Sequence, residues 1–188
     1  KKRKLKKIII GGLSMGAAIA LRIAILEPKL IKGLILARPA WITKSNPKNL
    51  KPFIYIAELI QNFSQEKGVS IFLNSKISKE IMRKSPDNFN SLVSLFDKIQ
   101  NNNIAEMVKC IAIDGPNVSE NQICNIQIPT LIIGNKNDFI HPLSYAKKLS
   151  NMIKNSKLEI ITSKSESYEN YFFEFRDKLN LFLQDLLI

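Results

Sequence analysis

The chain has 188 residues, a mass of 21.4 kDa and a formal net charge of +12, a length that encloses one core rather than two. With 45% hydrophobic and 23% charged residues it lies among globular proteins, away from disordered, fibrous and collagen-like chains. Two cysteines, Cys110 and Cys124, without CxxC spacing, and one histidine, His141, exclude a zinc finger and a disulfide scaffold.

Six of the 28 basic residues fall within Lys1 to Lys7, and the remaining 22 against 16 acidic residues leave only +6 for the rest. Lysine outnumbers arginine, and there is no arginine-rich helix, zinc knuckle or interleaved aromatic platform, so the charge reads as a solvated surface and no nucleic-acid partner is expected. The basic start followed by apolar residues has the outline of a signal peptide. No small-residue cleavage site follows, however, and the apolar part reads as a strand and turn, so a non-secretory, cytoplasmic chain is expected. The longest uncharged apolar run, Ile8 to Leu21, contains three glycines and is shorter than the roughly 20 residues a membrane span needs. Residue 1 is a lysine, which points to a start inside a longer reading frame.

Leu5 to Ile10 ends in three isoleucines closed by Gly11-Gly12, the pattern of a strand buried on both faces. Ser14 to Leu26, rich in Ala, Leu and Ile, is a helix that stops at Glu27-Pro28. Ile31 to Ala37 is a second apolar strand closed by Arg38-Pro39, and strand, helix, strand at this spacing is the βαβ unit of a parallel sheet. From Trp41 to about Asn125 the pattern turns helical and polar, with pieces at Phe53 to Phe63, Ile77 to Lys84, Phe89 to Ile99 and Ile104 to Ile111. Such a block between strands is either an insertion that covers one end of the sheet and shapes a pocket, or plain helical packing. The βαβ rhythm resumes with the strand Ile128 to Gly134 and the polar turn Asn135 to Asp138. A helix from Pro142 to Ile153, a strand from Lys157 to Thr162 and a helix from Tyr168 to Leu187 complete the chain. The predicted organisation is one α/β domain over 1–188, its sheet core built from 1–40 and 126–188 around a helical insertion at 41–125.

Gly12-Leu13-Ser14-Met15-Gly16 fits G-x-S-x-G between a predicted strand and a predicted helix, the setting that presents a serine hydroxyl above a strand end on a sharp turn. The Met15 N–H then lies at a helix N-terminus, where partial positive charge stabilises an oxyanion.

On these residues, and on Ile128-Pro129-Thr130-Leu131-Ile132-Ile133-Gly134 with Asn137-Asp138, the chain resembles the α/β-hydrolase family over its whole length. The resemblance implies a mostly parallel sheet flanked by helices, a helical cap over 41–125, Ser14 as nucleophile, Asp138 as the acid that orients a histidine, and no metal or organic cofactor. It also implies a small-molecule ester, thioester or amide substrate cleaved through a Ser14 acyl-enzyme, with Trp41, Phe53, Tyr55 and Phe72 either lining the acyl pocket or forming core.

Two departures stand out. The family carries its histidine in the loop after the last strand, here Ser163-Lys164-Ser165-Glu166-Ser167, which has none. The family also has strands ahead of the nucleophile turn, one of whose loops supplies a second oxyanion N–H, so an N-terminally truncated hydrolase with an apolar edge beside Ile8 to Ile10 is expected. His141, three residues after Asp138, is either a relocated base or a residue that seats the turn. Lys148 and Lys164 are weaker base candidates because each needs a strongly depressed pKa. Asp114, before Gly115-Pro116, reads as a turn residue, and both cysteines read as reduced and buried. A relative that has lost catalysis and binds a small ligand or a partner is the alternative to an active serine hydrolase.

Overall fold

A computed structural model describes residues 7–98 and 103–186. In chain order the elements are β1 (Ile8–Leu13), α1 (Met15–Leu26), β2 (Ile31–Ala37), α2 (Lys51–Asn62), α3 (Gln65–Asn74), α4 (Lys76–Lys84), α5 (Pro86–Val93), α6 (Ile104–Ile113), α7 (Glu120–Cys124), β3 (Thr130–Asn135), α8 (Leu143–Met152), β4 (Ser156–Ile161) and α9 (Tyr168–Asp185). Leu5 and Lys6 of the first predicted strand, Ile99 and Leu187 lie outside the described residues. The structure adds α3 and α7 to the predicted helices, and it ends the helix predicted from Phe89 at Val93, followed by a 3-10 turn at Phe96–Lys98.

The chain divides into two compact units, one of Lys1–Lys44, Pro116–Lys136 and His141–Ile188, the other of Ser45–Gly115 with Asn137–Ile140. Among the described residues the first holds a four-stranded, wholly parallel sheet in the order β1-β2-β3-β4. All six residues of β3 are buried, as a near-continuous apolar strand covered on both faces must be. Its period of two sends Ile132 to one face, with Ala17, Ala20, Leu21 and Ala24 of α1 and Ala146 and Leu149 of α8. Leu131 and Ile133 go to the other face, with Ile161 of β4 and Tyr171 and Phe182 of α9. Each such fully buried aliphatic side chain contributes roughly 1.5–3 kcal/mol relative to an exposed one. β1 differs from its predicted burial on both faces. Among the described strands it stands at the sheet edge, and its residues are half-buried or exposed.

In the second unit Phe72 is fully buried, with the rings of Tyr55, Phe89 and Phe96 at 6.3, 6.4 and 5.9 Å from its own. That assigns Phe72 to core rather than to a pocket wall. Both cysteines are exposed, against the expectation of burial. The buried stripe of α6 is Ala105, Val108 and Ala112, which turns Cys110 outward, and in the short α7 only Ile123 is buried. Asp114 ends α6 and its Oδ1 accepts from Gly115 N–H at 2.7 Å, the turn role its sequence suggests. Among the described residues no helix is long and apolar enough to cross a membrane.

The end of β4 is tied to α9 by Glu174, whose carboxylate accepts from the Thr162 N–H at 2.6 Å and from the Thr162 hydroxyl at 2.8 Å. These bonds hold the Glu174 carboxyl below the ordinary glutamate range. A carboxyl depressed in the folded state stabilises fully above its unfolded pKa, and the contribution is lost as pH falls through the folded one. Glu174→Ala is expected to cost about 1 kcal/mol at neutral pH after allowance for solvent screening. Melting temperatures of the two proteins should converge as the pH drops below the ordinary glutamate range.

The β1–α1 crossing makes a second, sharper demand. A Cβ on Gly12 would stand 2.1 to 2.6 Å from the backbone of Gly16, whereas a Cβ on Gly16 meets nothing within 4 Å. Gly12→Ala is therefore expected to destabilise by about 3 kcal/mol or to abolish folding, because backbone cannot move aside as a side chain does. Gly16→Ala should be neutral or stabilising by about 0.5 kcal/mol through helix propensity. Denaturant melts of the two variants check the asymmetry, and equal losses would contradict it.

Candidate active site

Ser14 joins the last residue of β1 to the first residue of α1. It adopts φ 57° and ψ −114°, a conformation L-residues rarely hold and one that costs of order 1–3 kcal/mol. Three backbone bonds keep it there: Ser14 N–H donates to the Ala37 carbonyl at 3.0 Å, and Ala17 and Ala18 N–H donate to the Ser14 carbonyl at 3.0 and 3.3 Å. The close approach of Gly12 and Gly16 lets strand and helix meet at this angle. The result is a half-buried serine on the elbow between the C-terminal end of β1 and the start of α1. Met15 follows as the first residue of α1. Its N–H belongs to the first turn, whose amides have no intrahelical acceptor and carry the positive end of the helix dipole.

His141 lies between β3 and α8, just ahead of Pro142, which precedes the first helical residue, Leu143. Its Nε2 stands 2.9 Å from Ser14 Oγ, inside the range for proton transfer between a hydroxyl and an imidazole. The structure thus brings together two of the sequence-predicted site residues, Ser14 and His141. Tyr145, one turn further on, is no rival base, because burial pushes its phenol above the ordinary range and keeps it protonated.

The other candidates are placed as follows. Trp41 is buried (4% exposed) past the corner that ends β2, where Arg38 takes φ 44° and donates its N–H to the Ile133 carbonyl at 2.7 Å. Phe53 and Tyr55 are half-buried on α2. Lys148 is engaged by Glu120 at 2.6 Å, which holds the Glu120 carboxyl below its ordinary range. The Lys164 ammonium lies over the rings of Tyr171 and Phe172, 5.0 and 5.4 Å from their centroids. The loop at 163–167 is knit together without a histidine. The Ser163 hydroxyl donates to Glu166 Oε2 at 2.9 Å, and Ser167 caps α9 by accepting from Asn170 N–H.

Asp138 belongs to the helical unit and is buried at 8% exposure. Its segment, 137–140, is fixed there by three polar side chains that sequence reasoning did not single out. The Ser85 hydroxyl donates to the Asn137 carbonyl at 2.6 Å and accepts from Phe139 N–H at 2.8 Å. Asn88 Oδ1 accepts from Ile140 N–H at 2.8 Å, and Asn49 Nδ2 donates to the Ile140 carbonyl at 2.6 Å. The only sequence signal for Ser85 is its place before Pro86, where a helix cap is expected, and that says nothing about a partner more than fifty residues away.

A family model described as serine aminopeptidase, S33, matches residues 1–165 of this chain. No curated protein matches it. Solved structures show the same fold at low identity. An acetylester hydrolase from Corynebacterium glutamicum is 14% identical with a TM-score of 0.66, over 96% of this chain and 63% of that one. The enol-lactonase of Burkholderia xenovorans is 16% identical with a TM-score of 0.62, over 96% and 67%. MenH from S. aureus is 21% identical with a TM-score of 0.60, over 97% and 70%. The chain thus spans about two thirds of the length of the solved structures it resembles. A family match over most of the sequence, on a parallel sheet with a serine elbow at a strand end, places the chain in the S33 serine aminopeptidase family of α/β-hydrolases.

Proposed function

We propose that the protein is a serine hydrolase that cleaves an ester, thioester or amide of a small molecule through an acyl-enzyme on Ser14. The observation that carries this is the 2.9 Å contact between Ser14 Oγ and His141 Nε2 at a strained elbow. A serine hydroxyl is a weak nucleophile at neutral pH without a neighbouring base, and the imidazole supplies one. Hydrolase neighbours in the structure comparison, among them an acetylester hydrolase and an enol-lactonase, support ester-type chemistry.

In the first half-reaction Ser14 Oγ attacks the substrate carbonyl carbon while His141 Nε2 takes the hydroxyl proton. The carbonyl oxygen becomes an oxyanion, and the Met15 N–H at the α1 N-terminus donates to it. As the tetrahedral intermediate collapses, the bond to the leaving group breaks and the imidazolium returns its proton to the departing oxygen, sulfur or nitrogen. Water then repeats the sequence on the acyl-enzyme. His141 accepts the water proton, the hydroxide oxygen bonds to the acyl carbon, and the Ser14 ester bond breaks as its oxygen is reprotonated. Asp138 stabilises the imidazolium and fixes its tautomer in this scheme, Trp41 lines the substrate site, and the helices between β2 and β3 act as a cap.

The departure from the family pattern lies in the origin of the base. The loop after β4, at 163–167, has no histidine, and His141 on the turn after β3 takes over that role. The alternative is a non-catalytic binder, whose support is the missing histidine, and the Ser14–His141 contact favours the catalytic reading.

Hydrolysis of p-nitrophenyl acetate tests the scheme. Ser14→Ala and His141→Ala are each expected to lower kcat/KM by about 10³-fold or more, and the double variant should be little worse than either single one because the two residues act as a unit. Retained turnover in Ser14→Ala would remove Ser14 from the mechanism. A matching stability gain is expected in Ser14→Gly, which relieves the positive φ and should raise stability by about 1 kcal/mol while abolishing turnover.

A further inference from the structure

Asp138 is framed on both sides by one hydroxyl. Ser85 Oγ donates to the carbonyl of Asn137, the residue before the acid, at 2.6 Å, and accepts from the N–H of Phe139, the residue after it, at 2.8 Å. The Ser85 side chain thereby closes a ring around the Asp138 peptide units, as a backbone hydrogen bond does in a tight turn. Ser85 itself is fully buried, and Asn88 and Asn49 are 4% and 6% exposed, so water does not substitute for these bonds. Asn88 and Asn49 continue the grip one residue further on, binding the N–H and the carbonyl of Ile140 at 2.8 and 2.6 Å. Four short bonds from three side chains therefore determine the backbone of 137–140, the tetrapeptide that contains Asp138 and leads by one peptide bond into His141. Asn137 at φ 55° starts the segment in a left-handed conformation that the Ser85 bond helps to hold.

All three side chains come from the stretch between β2 and β3, Ser85 from the α4–α5 junction, Asn88 from the first turn of α5 and Asn49 from the turn before α2. A hydrophobic insertion that merely covered a pocket would have no need to satisfy the backbone of the acid turn. We infer that Ser85, supported by Asn88 and Asn49, is a positioning residue for the acid turn, fixing the backbone of 137–140 that carries Asp138 and runs by one peptide bond into His141. This rests on the assignment of Ser14, His141 and Asp138 proposed above.

The single histidine of the chain makes the test unambiguous, because every imidazole NMR signal belongs to His141. Ser85→Ala, Ser85→Thr, Asn88→Ala and Asn49→Ala are compared with wild type by imidazole NMR, by the rate of fluorophosphonate acylation at saturating reagent, and by thermal melting. In Ser85→Ala the imidazole signals should move and saturated acylation should slow by about tenfold or more, since small displacements of catalytic groups carry large rate penalties. Apparent reagent affinity should hold. Ser85→Thr, which keeps the hydroxyl, should restore most of the rate. If Ser85→Ala does not fold, the Asn88→Ala and Asn49→Ala proteins carry the same expectation at smaller amplitude. Folded variants with wild-type imidazole signals and wild-type acylation rates, altered only in melting temperature, would overturn the inference and leave these residues a structural role alone. Failure of the catalytic assignment looks different: wild type and Asp138→Asn would then acylate equally, or not at all, while the imidazole signals still report whether Ser85 sets the turn.

Discussion

A Cβ on Gly12 would collide with the backbone of Gly16, and that close crossing is the constraint from which the site follows. It permits β1 to run into α1 with a single residue between them, and it forces that residue, Ser14, to a φ of 57°. The strain is tolerable because it is distributed. The Ser14 N–H is bound by Ala37 of β2, the Ser14 carbonyl by Ala17 and Ala18 of α1, and α1 itself is pinned to the sheet by buried Ala17, Ala20, Leu21 and Ala24. Small residues on that helix face bring it close to the strands, and the elbow converts the closeness into a half-buried serine at a strand end.

The second requirement of the proposed mechanism is a base, and here the chain departs from the pattern its resemblance to α/β-hydrolases implies. The loop after β4 spends its polar groups on itself, with Ser163 bound to Glu166 and Ser167 capping α9. The imidazole on Ser14 comes instead from the turn after β3. In the proposed mechanism acid and base then share one turn, and a single segment between β3 and α8 has to be held in register with the elbow on β1. β2 lies between β1 and β3, and its end bonds to each side, the Ala37 carbonyl to Ser14 N–H and the N–H of Arg38, just past the strand, to the Ile133 carbonyl of β3. The edge-to-centre order β1-β2-β3 thus fixes the spacing of nucleophile and base through two rows of parallel-sheet hydrogen bonds.

Much of this was legible in the residues. The isoleucine-rich runs locate the strands, and the β2 boundaries agree with the prediction to the residue, closed by Arg38-Pro39, whereas β1 continues through Gly11-Gly12 to Leu13 and β3 through Gly134 to Asn135, because a glycine keeps its ladder bonds and does not by itself end a strand. The helix at Gln65–Asn74 was not readable, since Gly68 and its polar neighbours weaken the helical period and only packing of Gly68 and Phe72 defines its buried face. The burial of β1 and of the cysteines was misjudged for one shared reason. An apolar or small residue type states a preference, whereas the position of a strand within the sheet, or the face of a helix on which a residue falls, decides the outcome. For His141 the sequence left two roles open because its distance to Ser14 depends on where α8 begins relative to the strand ends, a three-dimensional quantity. The Ser85 bonds are further from reach, linking residues 52 and 54 positions apart with no periodic pattern.

In the proposed mechanism Ser14 is an activated nucleophile whose base is His141. Mass spectrometry of the chain after exposure to a fluorophosphonate, with peptide mapping of the modified residue, tests it most directly. One adduct is expected, located on Ser14 and lost in a folded His141→Ala variant. An adduct on another residue, or labelling of Ser14 at an unchanged rate in folded His141→Ala, would contradict it.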